Sequence, residues 1–203
     1  MNKIDVVLGL QYGDEGKGKI TNQMAKSGDY DYVMRYNGGG NAGHTIYVDN
    51  QKVVTHLVPC GVLHGIPSII GSGCVLHINN FFIELDYLSG LGYDTSLIKV
   101  AYNCHIVTDD HIDEDSKDVT IGTTRTGNGP CYRDKVTRVG KRAEDIKELK
   151  NYNISKNPNA VDYLKDYRDL IKWNDLSANP NAIELLREKA IKENNMERFD
   201  LSR

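Results

Sequence analysis

The sequence predicts an α/β fold: a mostly parallel sheet with a P-loop-like glycine-rich phosphate loop, helices on both faces and a helical C-terminal appendage. Three observations carry this. The apolar run Ile4-Asp-Val-Val-Leu8 leads into Gly9-Leu-Gln-Tyr-Gly-Asp-Glu-Gly-Lys-Gly-Lys19 and then a helical pattern, which is the order strand, phosphate loop, helix. Short β-branched runs alternate with helical spacing as far as Tyr102, the pattern of strands joined by crossovers. Beyond Ala143 the chain turns polar and charged and contains no glycine. Residues 1–143 are therefore expected to be an α/β core that binds a nucleotide, and residues 144–203 a helical segment.

Taken in order, the first strand covers Ile4–Leu8, and the first helix carries Ile20 and Met24 with Gly28 as its stop. Asp31-Tyr-Val-Met-Arg-Tyr36 reads as a second strand. It runs into Asn37-Gly-Gly-Gly-Asn-Ala-Gly-His-Thr45, too rich in glycine for regular structure. Ile46–Val48 and Lys52–Val58 flank Asp49-Asn-Gln51 as a hairpin. Ser68–Ile70 is a short buried strand. Phe81–Leu88 has helical spacing, with Asn79 or Asn80 as its cap and Gly90 and Gly92 at its end, and Ile98–Tyr102 is a further strand. Asn157-Pro-Asn-Ala and Asn179-Pro-Asn-Ala each read as a helix start, Asn capping and Pro in the first turn. Val161, Leu164 and Ile171, and likewise Ile183, Leu186 and Ala190, give those helices one apolar side.

With 203 residues, 39% hydrophobic and 26% charged, the chain can bury a core in one domain with an appendage. A net charge of −3 argues against nucleic acid as the main partner. No apolar run approaches the roughly 20 residues of a membrane span, and the N-terminus lacks the layout of a signal peptide. Cys60, Cys74, Cys104 and Cys131 form no C-x-x-C pair; they are expected to be reduced, mostly buried thiols of a cytoplasmic protein.

The chemistry concentrates in three stretches. Gly13, Gly16 and Gly18 let backbone amides converge on a phosphate, with the helix N-terminus, Lys17 and Lys19 adding positive charge. Gly13 to Gly18-Lys19 has the GxxxxGK spacing, but Ile20 stands where a magnesium-binding hydroxyl belongs. Asp14 is the candidate oxygen ligand in its place. In the second stretch, Asn41-Ala-Gly-His-Thr45 offers amide, backbone and imidazole groups at a strand end, which singles out His44. His56, His64, His77, His105 and His111 are read as structural. Asp14 and His44 form a candidate acid–base pair: a carboxylate can take a heterocycle N–H proton, and an imidazolium can stabilise a phosphoryl group in flight.

The third stretch, Ile121-Gly-Thr-Thr-Arg-Thr-Gly-Asn-Gly-Pro130 followed by Arg133, Lys135, Arg138, Lys141 and Arg142, suits a second anion. Its bland alternative is a solvated basic loop. Asp109–Asp118 lacks the EF-hand spacing and is expected to be a solvated acidic helix.

Val7 to Lys19, Arg35-Tyr-Asn-Gly-Gly-Gly-Asn-Ala-Gly-His-Thr45, and Ile121-Gly-Thr-Thr with Gly129-Pro-Cys-Tyr-Arg-Asp-Lys-Val-Thr-Arg138 together resemble adenylosuccinate synthetase, over roughly Val6 to Arg142. The resemblance implies a magnesium-dependent, GTP-driven ligase of purine biosynthesis. It would phosphorylate O6 of inosine monophosphate (IMP) and displace that phosphate with the amine of L-aspartate. Carried over, Asp14 would be the base at N1 and a Mg²⁺ ligand with the Gly43 carbonyl, His44 the acid near O6, and Lys17 a charge on the transferring phosphoryl group.

Gly13, Asp14, Glu15, Gly16, Lys17, Gly18, Lys19, Gly43, His44 and Thr45 would line GTP. Asp14, Glu15, Gly16, Lys17, Asn41, Ala42, Gly43 and His44 would touch IMP, and Thr124 its 5′-phosphate. Arg138 would reach into the site of a second subunit, implying a homodimer. Asp14 also favours inosinate over the guanylate taken by phage relatives, which carry a smaller residue there.

The chain departs from the family pattern at Tyr12, where tryptophan is usual, and at Arg125-Thr126, where glycine then arginine is usual. Family members are also much longer, and the guanine-reading N/T-K-x-D motif and the aspartate loop have no counterpart here. Asn2-Lys-Ile-Asp5 stands too early to serve. The alternative reading is a nucleotide-binding half that needs a second chain for catalysis; a regulatory GTPase fits less well because Ile20 breaks the Walker signature.

Overall fold

The computed structural model describes residues 3–11, 13–28, 30–117, 122–146, 149, 165, 168, 171, 173–177, 179 and 182–200. They fall into two compact units, Met1–Asp145 and Ile146–Arg203.

In the first unit, helix α1 (Lys17–Lys26) starts at Gly16 and ends at Ser27, whose N–H bonds back to Met24 and Ala25. Strand β1 (Val33–Arg35) follows, then the hairpin of β2 (His44–Val48) and β3 (Gln51–Thr55). The hairpin turns on Asp49 and Asn50, both at positive φ, the primed turn that matches the twist of its strands. Beyond a 3-10 turn at Cys60–His64 come β4 (Ser68–Ile70), β5 (Val75–His77), α2 (Ile78–Gly90), β6 (Ile98–Val100), β7 (His105–Val107), α3 (Asp109–Lys117) and α4 (Asn128–Thr137).

The α/β class with a mostly parallel sheet is what forms. Strands pair parallel in the order β1-β4-β6, and β5 pairs parallel with β7. The second pair resumes the β4–β6 pair after a break at 71–74 and 101–104. Gly73 makes the break possible: a Cβ built there would stand 1.9 Å from the Tyr36 carbonyl oxygen. Val33, Ser68, Ile70 and Ile98 share the buried face of the three-stranded sheet, while Met34 and Lys99 on the opposite face are exposed.

Three expectations are corrected. Ile4–Leu8 is not a strand: its side chains are mostly exposed, and among the described residues no backbone ladder joins it. A strand's N–H and C=O groups need a neighbouring chain, and this segment has none. The cap of α2 is His77, whose Nδ1 accepts from the Asn80 N–H at 3.3 Å, not Asn79 or Asn80. Strands β5 and β7 and helix α4 were not foreseen; their runs are too short or too polar to show a period.

In the second unit α5 (Trp173–Leu176) and α6 (Ile183–Asp200) carry a small core of Ile171, Leu176, Ala182 and Leu185, with Trp173 and Leu186 packed against it. Ile183 and Ala190, expected on the buried side, are exposed; the stripe runs through Ala182, Leu185 and Leu186 instead. The first Asn-Pro start, with Val161 and Leu164, lies outside the described residues, while Ile171 is buried. Among the described residues no helix is long and apolar enough to cross a membrane.

Candidate active site

The loop at 37–45 follows the carboxyl end of β1, where parallel sheets gather ligands. Arg35 organises it from within: Nε donates to the Asn37 carbonyl at 3.2 Å, Nη2 to the Gly39 carbonyl at 2.9 Å, and Nη1 to the His56 carbonyl. His56 returns a bond from Nδ1 to the Ala42 carbonyl at 2.8 Å. Behind His56, the buried carboxylate of Glu84 accepts the N–H groups of His56, Leu57 and Val58 at 2.6, 2.9 and 3.2 Å. That fixes the end of β3, whose Thr55 stands opposite His44.

The other two motifs meet this same loop. A Cβ on Gly18 would lie 2.9 Å from Cγ of His44, so the imidazole rests against the first turn of α1. A Cβ on Gly39 would lie 2.3 Å from Oδ1 of Asn128 at the start of α4. Tyr132 of α4 bridges further: its hydroxyl accepts from the Gly38 N–H at 2.8 Å and donates to the Gly73 carbonyl at 2.9 Å.

Burial, then the charges of Arg35, Lys17 and His56, hold the His44 imidazole below its ordinary range. In the first loop, Asp14 is exposed, with left-handed backbone. Among the described residues its carboxylate has no hydrogen bond or ion pair. Lys17 closes onto Glu15, which also accepts the Gln11 N–H and is held down to about 2, chiefly by the Lys17 hydrogen bond.

The Thr124 hydroxyl meets that of Thr126 at 3.0 Å in an exposed loop, and Arg125 takes positive φ there. The loop is anchored from α3. Asp115 accepts the Gly127 N–H at 2.9 Å, and His111 pairs with Asp134 of α4 at 3.1 Å. The acidic helix is thus not wholly solvated, since Asp115 and His111 are buried.

Of the basic residues, Arg133 pairs with Glu114 and Asp134, Arg142 with Glu144, and Lys135 bonds the Ser72 carbonyl. Arg138 and Lys141 are exposed without an ion pair among the described residues. Lys135, Arg142 and His105 line a cavity of about 360 Å³ that includes neither Asp14 nor His44. All four cysteines are free and buried, and burial pushes Cys60 and Cys131 to about 11 and Cys104 to about 12; such thiols are inert.

Sequence reasoning missed Arg35, His56, Glu84, Asp115, Asn128 and Tyr132 as supports of the loops. Arg35 was visible only as part of a motif, and no spacing links Glu84 to residues 56–58.

The model of the adenylosuccinate synthetase family matches residues 6–193. The chain belongs to that family. It is 45% identical to the adenylosuccinate synthetase of Acidothermus cellulolyticus over 148 residues, 70% of this chain and 34% of that protein. Against the Fusobacterium nucleatum synthetase it is 40% identical over 153 residues, 72% and 36% of the two lengths. The fully ligated synthetase of Plasmodium falciparum superposes with a TM-score of 0.61 at 30% identity, covering 91% of this chain and 48% of that one. A succinoaminodeoxyadenylate synthetase of cyanophage S-2L, bound to dGMP and dATP, gives 0.52 at 26%, covering 63% and 36%. The chain spans about a third of the length of the curated relatives it matches.

Proposed function

We propose that these residues form the GTP and IMP end of an adenylosuccinate synthetase site, which joins IMP to L-aspartate. The observation that carries this is the seating of His44 against Gly18 while Asn128 and Tyr132 hold the same loop. Three motifs distant in sequence thereby converge on the loop at 37–45. Asp14 takes the N1 proton of the inosinate, which makes O6 nucleophilic. O6 attacks the γ-phosphorus of GTP and GDP leaves. Lys17 and the amides of Gly16 to Lys19 offset the charge on the phosphoryl oxygens. The aspartate amine then adds at C6, and O6 departs with the phosphoryl group as inorganic phosphate.

His44 enters this cycle neutral, because burial and the neighbouring cations disfavour its proton. Phosphate oxygens arriving beside it reverse that balance and ready it to donate toward O6. Lys17 leaves Glu15 for the phosphates in the same event. Asp14 and the Gly43 carbonyl would be the protein oxygens holding Mg²⁺, which would neutralise charge on the GTP phosphates. The fit rests on Asp14's uncommitted carboxylate, since magnesium is commonly held by one or two carboxylates, phosphate and water. No group of three or more His, Cys, Asp or Glu that could hold a metal occurs among the described residues. Thr124 binds the 5′-phosphate, and Arg138, exposed at the end of α4, reaches the site of a second copy. The exposed Asp14 carboxylate favours inosinate over a guanylate such as that bound by the cyanophage relative.

The test uses IMP labelled with ¹⁸O at O6. Label in the released phosphate, with GDP and adenylosuccinate formed, is expected. Unlabelled phosphate would overturn the mechanism, and failure to bind either nucleotide would overturn the reading.

A further inference from the structure

Two turns interrupt the parallel strands side by side. The Cys74 N–H closes the first on the Gly71 carbonyl at 3.0 Å, and the Cys104 N–H closes the second on the Ala101 carbonyl at 2.9 Å. The Cys104 thiol donates to the Cys74 carbonyl at 3.4 Å and ties one turn to the other. Among the described residues, the N–H groups at the centres of these turns, of Ser72, Gly73, Tyr102 and Asn103, bond nothing. The same four residues line the cavity of about 360 Å³, together with His105, Lys135 and Arg142. Among the described residues no carboxylate shares that lining.

Lys135 of α4 bonds the Ser72 carbonyl and stands 5.9 Å from the centre of the Tyr132 ring. It has no ion pair among the described residues, and an ammonium has three donors. Arg142 spends Nη1 on Glu144 at 3.2 Å, which leaves most of its donors unused. His105 is buried, and its Nδ1 has no hydrogen-bond partner among the described residues. Burial, then Lys135 and Arg142, hold its imidazole below the ordinary range, with only the Asn103 backbone pulling the other way. Positive potential and unused donors therefore collect in one place.

We propose that this cavity is an anion site for a phosphate group, either the free ion or the phosphate of a small ester. Successive turn N–H groups form anion-binding concavities, and lysine and arginine beside them add charge-assisted hydrogen bonds. The donors come from two turns, α4 and Arg142. A tetrahedral dianion accepts from that many directions, whereas a carboxylate accepts in one plane. The cavity also has room beyond the phosphate for a sugar-sized ester. Neither Asp14 nor His44 lines it, so the site does not rest on the reading of those residues.

The test follows the backbone amides of the whole chain by ¹⁵N NMR as inorganic phosphate is added at constant ionic strength, with chloride as the reference anion. Saturable shifts at Ser72, Gly73, Tyr102 and Asn103 are expected from phosphate and not from chloride. Lys135→Gln and Arg142→Gln should each weaken that binding about tenfold, the loss of one charge-assisted contact. Lys17→Gln in the first loop should leave it as it is. The same titration with ribose 5-phosphate separates the sources: tighter binding assigns the site to an ester, equal or weaker binding to the free ion, and either supports the proposal. Shifts confined to residues 13–19 and 37–45 overturn it, as do shifts at the turns that never saturate or that chloride reproduces. Binding at the turns that survives both substitutions overturns it equally. The phosphate and chloride titrations need only the unsubstituted chain, so they decide the matter even where a variant fails to fold.

Discussion

The two glycine-rich loops have similar compositions and opposite circumstances. The loop at 37–45 is tied by Arg35, His56 and Tyr132 to backbone groups on both sides, and Gly39 lies against Asn128. The loop at 9–16 has the Gln11–Glu15 bond, the Glu15–Lys17 pair and little else among the described residues. Glycine supplies freedom in both cases. What differs is the number of side chains from elsewhere in the fold that remove it. The second loop is held by side chains of the fold itself; the first, among the described residues, is held by little beyond its own contacts.

The comparison predicts where chemistry and stability separate. Asp14→Ala should cost turnover roughly 10²- to 10⁴-fold and leave the melting temperature nearly unchanged, since among the described residues its carboxylate has no partner to lose. A parallel fall in melting temperature would mean that the first loop is braced after all. Glu84→Ala should do the opposite, destabilising the first unit by about 3 kcal/mol in chemical denaturation, because three backbone donors lose a buried carboxylate. Glu84→Gln should recover part of the loss.

Gly39→Val, which drives a side chain into Asn128, should cost about 1–3 kcal/mol, whereas Gly43→Ala meets nothing within 4 Å and should cost little. The smallest effect concerns pH. The folded-state value of His44 lies below its ordinary 6.5, so the folded chain holds fewer protons there than the unfolded one. Its contribution to stability is present above about 6.5 and is lost as pH falls through the lower folded value. An imidazole NMR titration should find the midpoint below 6.5 in the free chain and higher with GTP bound. A midpoint indifferent to GTP would remove His44 from the phosphates.

Much of the site was legible because its motifs are contiguous: Gly13 to Lys19 and Asn41 to Thr45 each carry their chemistry within one turn of chain. The helix after the first loop and the Asp49-Asn50 turn were legible for the same reason. Glu84 was not, because its partners lie more than 25 residues away and its helix reads simply as apolar. Asp115 and His111 were hidden in a run of carboxylates whose average is polar, although burial selects one side of it. Ile4–Leu8 reads as a strand from its sequence for a related reason: an apolar β-branched run records the capacity to pair, not the presence of a neighbour.

The sequence by itself determined the family, the three motifs, the first helix and the hairpin. These rest on contacts within a few residues, and short-range geometry follows from residue type. Only the tertiary structure decided that His44 lies on Gly18, that Arg35, His56 and Glu84 brace the second loop, and that Ile4–Leu8 forms no strand. Each depends on which distant backbone groups are close enough to bond, and that is set by how the sheet assembles rather than by the residues on either side.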